Sequence, residues 1–312
     1  MTDYSQKVRD LFEGQLREWA LARDNYSRLD GVMVRTLSFP GYDISVQFNP
    51  GRITSSAAKV DAKSIGARPC FLCEKNRPGE QRGIPFGDDY IILINPFPIF
   101  RRHLTIVSQC HTPQRISGNF DTMLSLAQAL PDYVIFYNGP QCGASAPDHL
   151  HFQAGNRGFL PIEKDVENPS LCRVVDEKDG TDLLLWSSYG RGILTLRGSG
   201  AEALTATFSR FHDRLALLEP DRPEPMLNIL AYHDEERWTV HIIPRRVHRP
   251  QCYFAEGDNR ILLSPGSVDL GGVFITPRGE DFDKISAEDV TNILNEVCLG
   301  EDELKILTQE LL

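Results

Sequence analysis

Short apolar runs of strand length, each stopped by proline, glycine or a polar turn, recur through this sequence and restrict what it can fold into. Tyr90-Ile-Ile-Leu-Ile-Asn95 is broken by Asn95-Pro-Phe-Pro98 and followed by His103-Leu-Thr-Ile-Val107. Tyr133-Val-Ile-Phe-Tyr-Asn138 runs into a loop of small residues, and Thr181 to Trp186 with Gly192 to Leu196 reads as a strand pair. Leu227-Asn-Ile-Leu-Ala-Tyr232 and Trp238-Thr-Val-His-Ile-Ile243 flank the polar turn at 234–236 and form a hairpin. Near the start, Val32-Met-Val34 and Tyr42 to Phe48 alternate apolar and polar residues, punctuated by Pro40-Gly41 and Pro50-Gly51. Helical periodicity separates these runs. It spans 5–28 as one amphipathic helix (Val8, Leu11, Phe12, Leu16, Trp19, Ala20), then 117–130, 201–218 and 286–312, the last opening on Ser286 as N-cap with Asp289 at the third helical position. Strands and helices in this order predict an α+β protein with antiparallel sheets and flanking helices.

The 227–243 hairpin resembles the 90–107 hairpin in layout: apolar strand, break, apolar strand, basic residues. This suggests internal duplication, with a boundary where proline and charge cluster, near Pro220 to Pro225. The expected organisation is an N-terminal helix (1–30), a first half bearing the chemistry (31–170), connecting strands and a helix (171–222), and a second, degenerate half (223–312). A chain of 312 residues has room for two such units, and 41% apolar with 24% charged residues is ordinary globular usage.

With 33 basic against 43 acidic side chains the net charge is −10, which excludes a protein that coats a nucleic acid polymer. No run approaches the roughly 18 apolar residues of a membrane span, and the first ten residues lack the apolar core of a signal peptide. Seven cysteines, an odd number, fit reduced thiols in a cytoplasm better than a disulfide scaffold.

The sharpest chemical signal is His149-x-His151-x-Gln153. Alternate residues of a strand share a face, so two imidazoles and an amide are expected to project together. They follow Gly139-Pro-Gln-Cys-Gly-Ala-Ser-Ala-Pro147, a loop whose glycines let backbone N–H groups approach a phosphate. A neutral imidazole is a competent nucleophile toward phosphorus and can leave again. A chance pair of surface or core histidines is the bland alternative, which the preceding loop and the following Gln disfavour.

Cys70-x-x-Cys73 has the spacing of a zinc hook. His149 and the Cys110-His111 pair are the partners available in the same half, and Cys70, Cys73, His111 and His149 together suit tetrahedral zinc. A redox pair and metal-free packing are the competing readings. The first is disfavoured because the hook does not open a helix after a strand. Walker and Rossmann glycine patterns are both missing. Positive charge for a diphosphate is sought in Arg68, Arg101, Arg102 and Lys164, with Arg245 and Arg246 reaching across from the second half. His103, His212, His233, His241 and His248 read as structural, and Cys142 as a packing residue.

The run Asn138-Gly139-x-x-x-Gly143-x-Ser145-x-Pro147-x-His149-x-His151-x-Gln153 resembles the signature of the galactose-1-phosphate uridylyltransferase branch of the histidine-triad (HIT) superfamily. That branch also holds diadenosine tetraphosphate phosphorylases and GDP-hexose phosphorylases. The GDP-L-galactose phosphorylase type is similar at His149-Leu-His-Phe-Gln-Ala154 and at Pro161-Ile-Glu-Lys164. Residues 65–165 carry most of the likeness, and 225–285 follow more loosely. Asp148 stands between Pro147 and His149, where the uridylyltransferases run Pro straight into His.

The resemblance implies a HIT-like fold of two related halves, and a structural zinc on Cys70, Cys73, His111 and His149. It also implies a covalent nucleotidyl intermediate on His151, with Gln153 where the superfamily's hydrolases carry a third His. Asn138, Gly143 and Ser145, with Arg101, Arg102 and Lys164, would bind substrate. The implied partners are a nucleotide sugar or dinucleoside polyphosphate with orthophosphate or a sugar 1-phosphate as acceptor. Dimers are common in the branch, so a homodimer is expected as well.

Overall fold

The computed structural model describes residues 4–53, 57 and 60–309. Its N-terminal amphipathic stretch is two helices, α1 (Tyr4–Glu18) and α2 (Ala20–Ser27). The expected single helix breaks at Trp19, whose backbone is extended (φ −110°, ψ 101°) and whose indole is buried. A hairpin of β1 (Met33–Phe39) and β2 (Tyr42–Phe48) follows.

The next ten strands form one sheet. They are β3 (Gly83–Phe86), β4 (Tyr90–Ile94), β5 (His103–Ser108), β6 (Tyr133–Asn138), β7 (His151–Asn156), β8 (Cys172–Lys178), β9 (Thr181–Trp186), β10 (Leu194–Gly198), β11 (Leu227–Asp234) and β12 (Arg237–Pro244). Their spatial order is β3-β4-β5-β7-β6-β11-β12-β10-β9-β8, every neighbouring pair antiparallel.

Read inward from each edge, the two halves match: β3, β4, β5, β7, β6 against β8, β9, β10, β12, β11. The helix α3 (Phe120–Ala129) lies between β5 and β6, as α4 (Ala201–Leu218) lies between β10 and β11. The molecule therefore repeats one β-β-β-α-β-β unit about the central β6–β11 seam, where Asn138 pairs with Asn228. In this strand order the 171–222 stretch, read from sequence as a connection, supplies three strands and the helix of the second unit. The counterpart of the 227–243 hairpin is β6–β7, not the 90–107 hairpin.

The two sheet faces are covered differently. One packs on α1 to α4 and on α6 (Glu301–Gln309), burying alternate residues such as Ile135, Phe152, Ile229 and Val240. Each such side chain contributes roughly 1.5–3 kcal/mol. On the other face, the second unit is sealed by β1, β2, β13 (Val273–Thr276) and α5 (Ala287–Val297), through Ile44, Val46, Phe274, Ile293 and Leu294. β13 joins β2 in parallel. The last expected helix is in fact α5 and α6, interrupted at 298–300, and α5 begins with the anticipated Ser286–Asp289 capping box. Over the first unit this face stays open, and a cavity lies there. No helix among the described residues is long and apolar enough to cross a membrane.

Candidate active site

The cavity holds about 780 Å³, within the range of small-molecule sites. Its floor is the open face of β4 to β7, contributing Leu93, Thr105, Phe136, Asn138, His151 and Gln153. One wall is the 143–145 loop, and another is the 264–269 loop returning from the C-terminal segment.

Gly143 adopts φ +98°, and a Cβ there would meet the Gly266 Cα at 3.0 Å, so both its conformation and the close approach of the two loops require glycine. Asn138 ties these loops together. Its Oδ1 accepts from Asn228 Nδ2 (2.8 Å), the Ser267 N–H (2.8 Å) and the Ser267 hydroxyl (2.9 Å). Among the described residues, Arg245 is buried against neutral acceptors only: Asn228 Oδ1 and the carbonyls of Pro265, Val297, Val247 and His248. It braces the 264–269 loop and does not line the cavity. Arg246 is paired with Glu303 outside the cavity.

His151 sits where β7 begins. Its Nδ1 lies 2.8 Å from the His149 carbonyl oxygen, which can only accept, so Nδ1 carries the proton and Nε2 keeps the free lone pair. Burial first, and then the neighbouring His149, hold its pKa down at about 4. Gln153 shares its cavity face.

His149 precedes the strand and turns away. Its Nε2–H donates to the Ser108 carbonyl (2.8 Å), leaving the Nδ1 lone pair 3.3 Å from Cys70 Sγ and 3.6 Å from Cys73 Sγ. His111 Nδ1 is 3.2 Å from Cys73 Sγ. The four ligand atoms lie within 4.8 Å of one another. Zinc at the centre of a Cys/His tetrahedron sets sulfur and nitrogen about 3.5 Å apart, so donor types and spacing both fit that ion. Asp148 lies beside this cluster, its carboxylate 3.7 Å from His111 Nε2 and 3.6 Å from Arg68 Nη2. Arg68 in turn donates to the Ser145 carbonyl and lines the cavity.

Other sequence candidates lie elsewhere. Arg101 is exposed and paired with Asp30. The Arg102 guanidinium covers the Tyr133 ring on the helix side of the sheet, and Lys164 is exposed; none of the three borders the cavity. Register explains this. β5 runs against β7 with Val107 opposite His151 and His103 opposite Gly155, so Arg101 and Arg102 fall beyond the far end of the motif strand. Arg68, a sequence candidate, does line the cavity, together with Arg52, Arg77 and Arg249, which no motif in the sequence singles out.

Two family models tile nearly the whole chain: a domain of unknown function (DUF4922) over residues 11–156, and the GDPGP1-like C-terminal domain over 165–312. GDP-L-galactose phosphorylase 2 of Arabidopsis thaliana is 26% identical over 231 residues, covering 69% of this chain and 49% of that protein. This likeness fits the galactose-1-phosphate uridylyltransferase branch of the HIT superfamily. A galactose-1-phosphate uridylyltransferase of Halalkalibacterium halodurans is 29% identical over 114 residues, which are 31% of this chain and 22% of the relative. The chain thus spans about half the length of the first relative and about a fifth of the second. The fold extends further than the sequence likeness. Yeast Ap4A phosphorylase Apa2, solved with Ap4A, superposes with a TM-score of 0.61 at 18% identity, over 90% of this chain and 97% of that one. Its complex with AMP gives 0.58 at 17% identity. The HIT-like fold expected from the motif is therefore the fold observed.

Proposed function

We propose that this protein transfers a nucleotidyl group from a nucleotide sugar to orthophosphate or a sugar 1-phosphate through a covalent nucleotidyl-His151 intermediate. The observation that carries the reading is the His151 ring: its tautomer is set by a backbone carbonyl, and its Nε2 serves a nucleotide-sized cavity. In the first step Nε2 forms a bond to the α-phosphorus, and the bond to the bridging oxygen breaks. The leaving sugar phosphate keeps that electron pair. The ring gains positive charge, which the Nδ1–H bond to the His149 carbonyl steadies. In the second step an acceptor phosphate oxygen bonds to the same phosphorus and the N–P bond breaks, restoring the imidazole. Arg52, Arg68, Arg77 and Arg249 supply positive charge at the cavity wall. Cys70, Cys73, His111 and His149 would hold a structural zinc, whose contribution is to fix the chain where it enters β7.

The likeness to GDP-L-galactose phosphorylase supports a GDP-hexose donor. A dinucleoside polyphosphate is the second candidate, supported by the whole-chain fold likeness to yeast Ap4A phosphorylase. The test incubates the protein with ADP-, GDP- and UDP-sugars or dinucleoside tetraphosphates, with and without orthophosphate, and follows products and intact mass. A nucleotidyl adduct is expected in wild type and not in His151→Ala. Turnover that survives His151→Ala overturns the mechanism.

A further inference from the structure

Beneath Gln153 lies a hydrogen-bond chain that the transfer steps above do not use. His103 on β5 is fully buried, its ring packed near Phe100 and Phe136. The Ile99 backbone N–H donates to its Nδ1 at 3.1 Å. A ring nitrogen that accepts from an amide has no proton of its own, so the neutral ring carries its proton on Nε2. Burial, reinforced by Arg52, holds the ring neutral, with its pKa lowered to about 3. Nε2 lies 3.1 Å from Gln153 Oε1 and therefore donates to it.

Asn95 obeys the same logic. The Phe97 N–H donates to its Oδ1 at 2.9 Å, which turns its Nδ2 toward Gln153 Oε1 at 3.4 Å. Two backbone N–H groups of one short loop thus set the polarity of two side chains, and both donors converge on one oxygen. A reversed Gln153 amide would put its NH2 against two N–H donors, so the NH2 is the end left for the cavity.

We propose that His103 and Asn95 are positioning residues that lock Gln153, so that it presents N–H groups, never its carbonyl oxygen, to the phosphoryl group on His151. This deepens the nucleotidyl-transfer reading and rests on it. A locked NH2 donates to the phosphoryl oxygens that gain charge in both steps. Hydrolysis needs a water oxygen to bond to phosphorus while its proton passes to an acceptor, and a tethered Oε1 is not available as that acceptor. The lock therefore biases the intermediate toward transfer.

Two measurements test this. Imidazole 15N shifts of the purified protein are expected to report His103 as the neutral Nε2–H tautomer between pH 5 and 9; an Nδ1–H tautomer or an imidazolium at pH 7 overturns the lock. In a double-mutant cycle, His103→Phe in the wild-type background is expected to lower kcat on the order of 10-fold, with KM changed less than about twofold. It should also raise the fraction of intermediate lost to water. In the Gln153→Ala background the same change is expected to do nothing further. Additive effects, or an unchanged hydrolysed fraction, overturn the proposal. Should His103→Phe fail to fold, Asn95→Ala carries the same cycle. If wild type forms no His151 adduct with any donor, the transfer reading fails, and the tautomer measurement still decides the lock.

Discussion

His149 and His151 are two residues apart and face different partners because backbone carbonyls assign their protons differently. The Ser108 carbonyl takes the Nε2–H of His149 and frees Nδ1 for the cysteines, whereas the His149 carbonyl takes the Nδ1–H of His151 and frees Nε2. Gln153 gains its polarity in the same way, from His103 and Asn95. Glutamate at 153 would satisfy both donors with one oxygen and aim the other, negatively charged, at a phosphate. Gln153→Glu should therefore keep the fold, with Tm close to wild type, and slow adduct formation on the order of 10²–10³-fold in single-turnover mass spectrometry; a near-wild-type rate would remove Gln153 from the reaction. Gly143 is constrained more directly. Gly143→Ala adds strain at φ +98° and a backbone contact at 3.0 Å, and should cost about 1–3 kcal/mol in urea denaturation, with weaker donor binding.

Among elements, the returning 264–269 segment depends on Arg245, whose five acceptors are neutral and mostly carbonyls. Lysine keeps the charge but cannot span them. Arg245→Lys should cost about 2 kcal/mol of stability and raise KM for the donor more than it lowers kcat. Zinc held by the hook and the two histidines would likewise fix the start of β7. Elemental analysis is expected to find one zinc per chain in wild type and loss of that zinc in Cys70→Ser, with a lowered Tm by calorimetry. These elements differ in how far the sequence disclosed them. The motif strand β7 and the Cys-x-x-Cys hook were legible because their spacing is local, and β4–β6, β9–β12 and the capping box at Ser286 followed from the apolar runs and periodicity. The break at Trp19 left no mark, because both flanking segments keep helical spacing. Of the cavity arginines, Arg68 was nominated from sequence, whereas Arg52, Arg77 and Arg249 were not, because which cation reaches a site is settled by strand register and by loops that return from far along the chain. Proximity in sequence nominated Arg101, Arg102 and Lys164, and the antiparallel register sends the first two to the far end of the strand.

At the scale of the whole molecule, one repeated unit is open on its outer face and the other is filled. The strand β12 stands in the second unit where β7 stands in the first, and it too carries a histidine, His241, fully buried beside Trp186 and Tyr232. Trp186 Nε1–H donates to the Thr195 hydroxyl, which is also hydrogen-bonded to His241 Nδ1 at 2.8 Å, and among the described residues His241 Nε2 has no partner. Arg157, Arg191 and Arg197 add repulsion to burial, and the pKa falls to about 3, as it does for His103 in the first unit. In the unfolded chain both rings titrate near 6.5. Between these values the unfolded state binds protons that the folded state refuses, so stability is fully present above about pH 6.5 and is lost as pH falls toward 3. Each ring contributes a slope of about 1.4 kcal/mol per pH unit within that window, about 2.7 for the two. Urea denaturation from pH 7 to 4 is therefore expected to show stability falling with a slope of at least two protons. His241→Phe removes one proton from that slope without touching the cavity. An unchanged slope in the variant would mean that His241 takes up its proton in the folded protein, and that the sealed face of the second unit admits water.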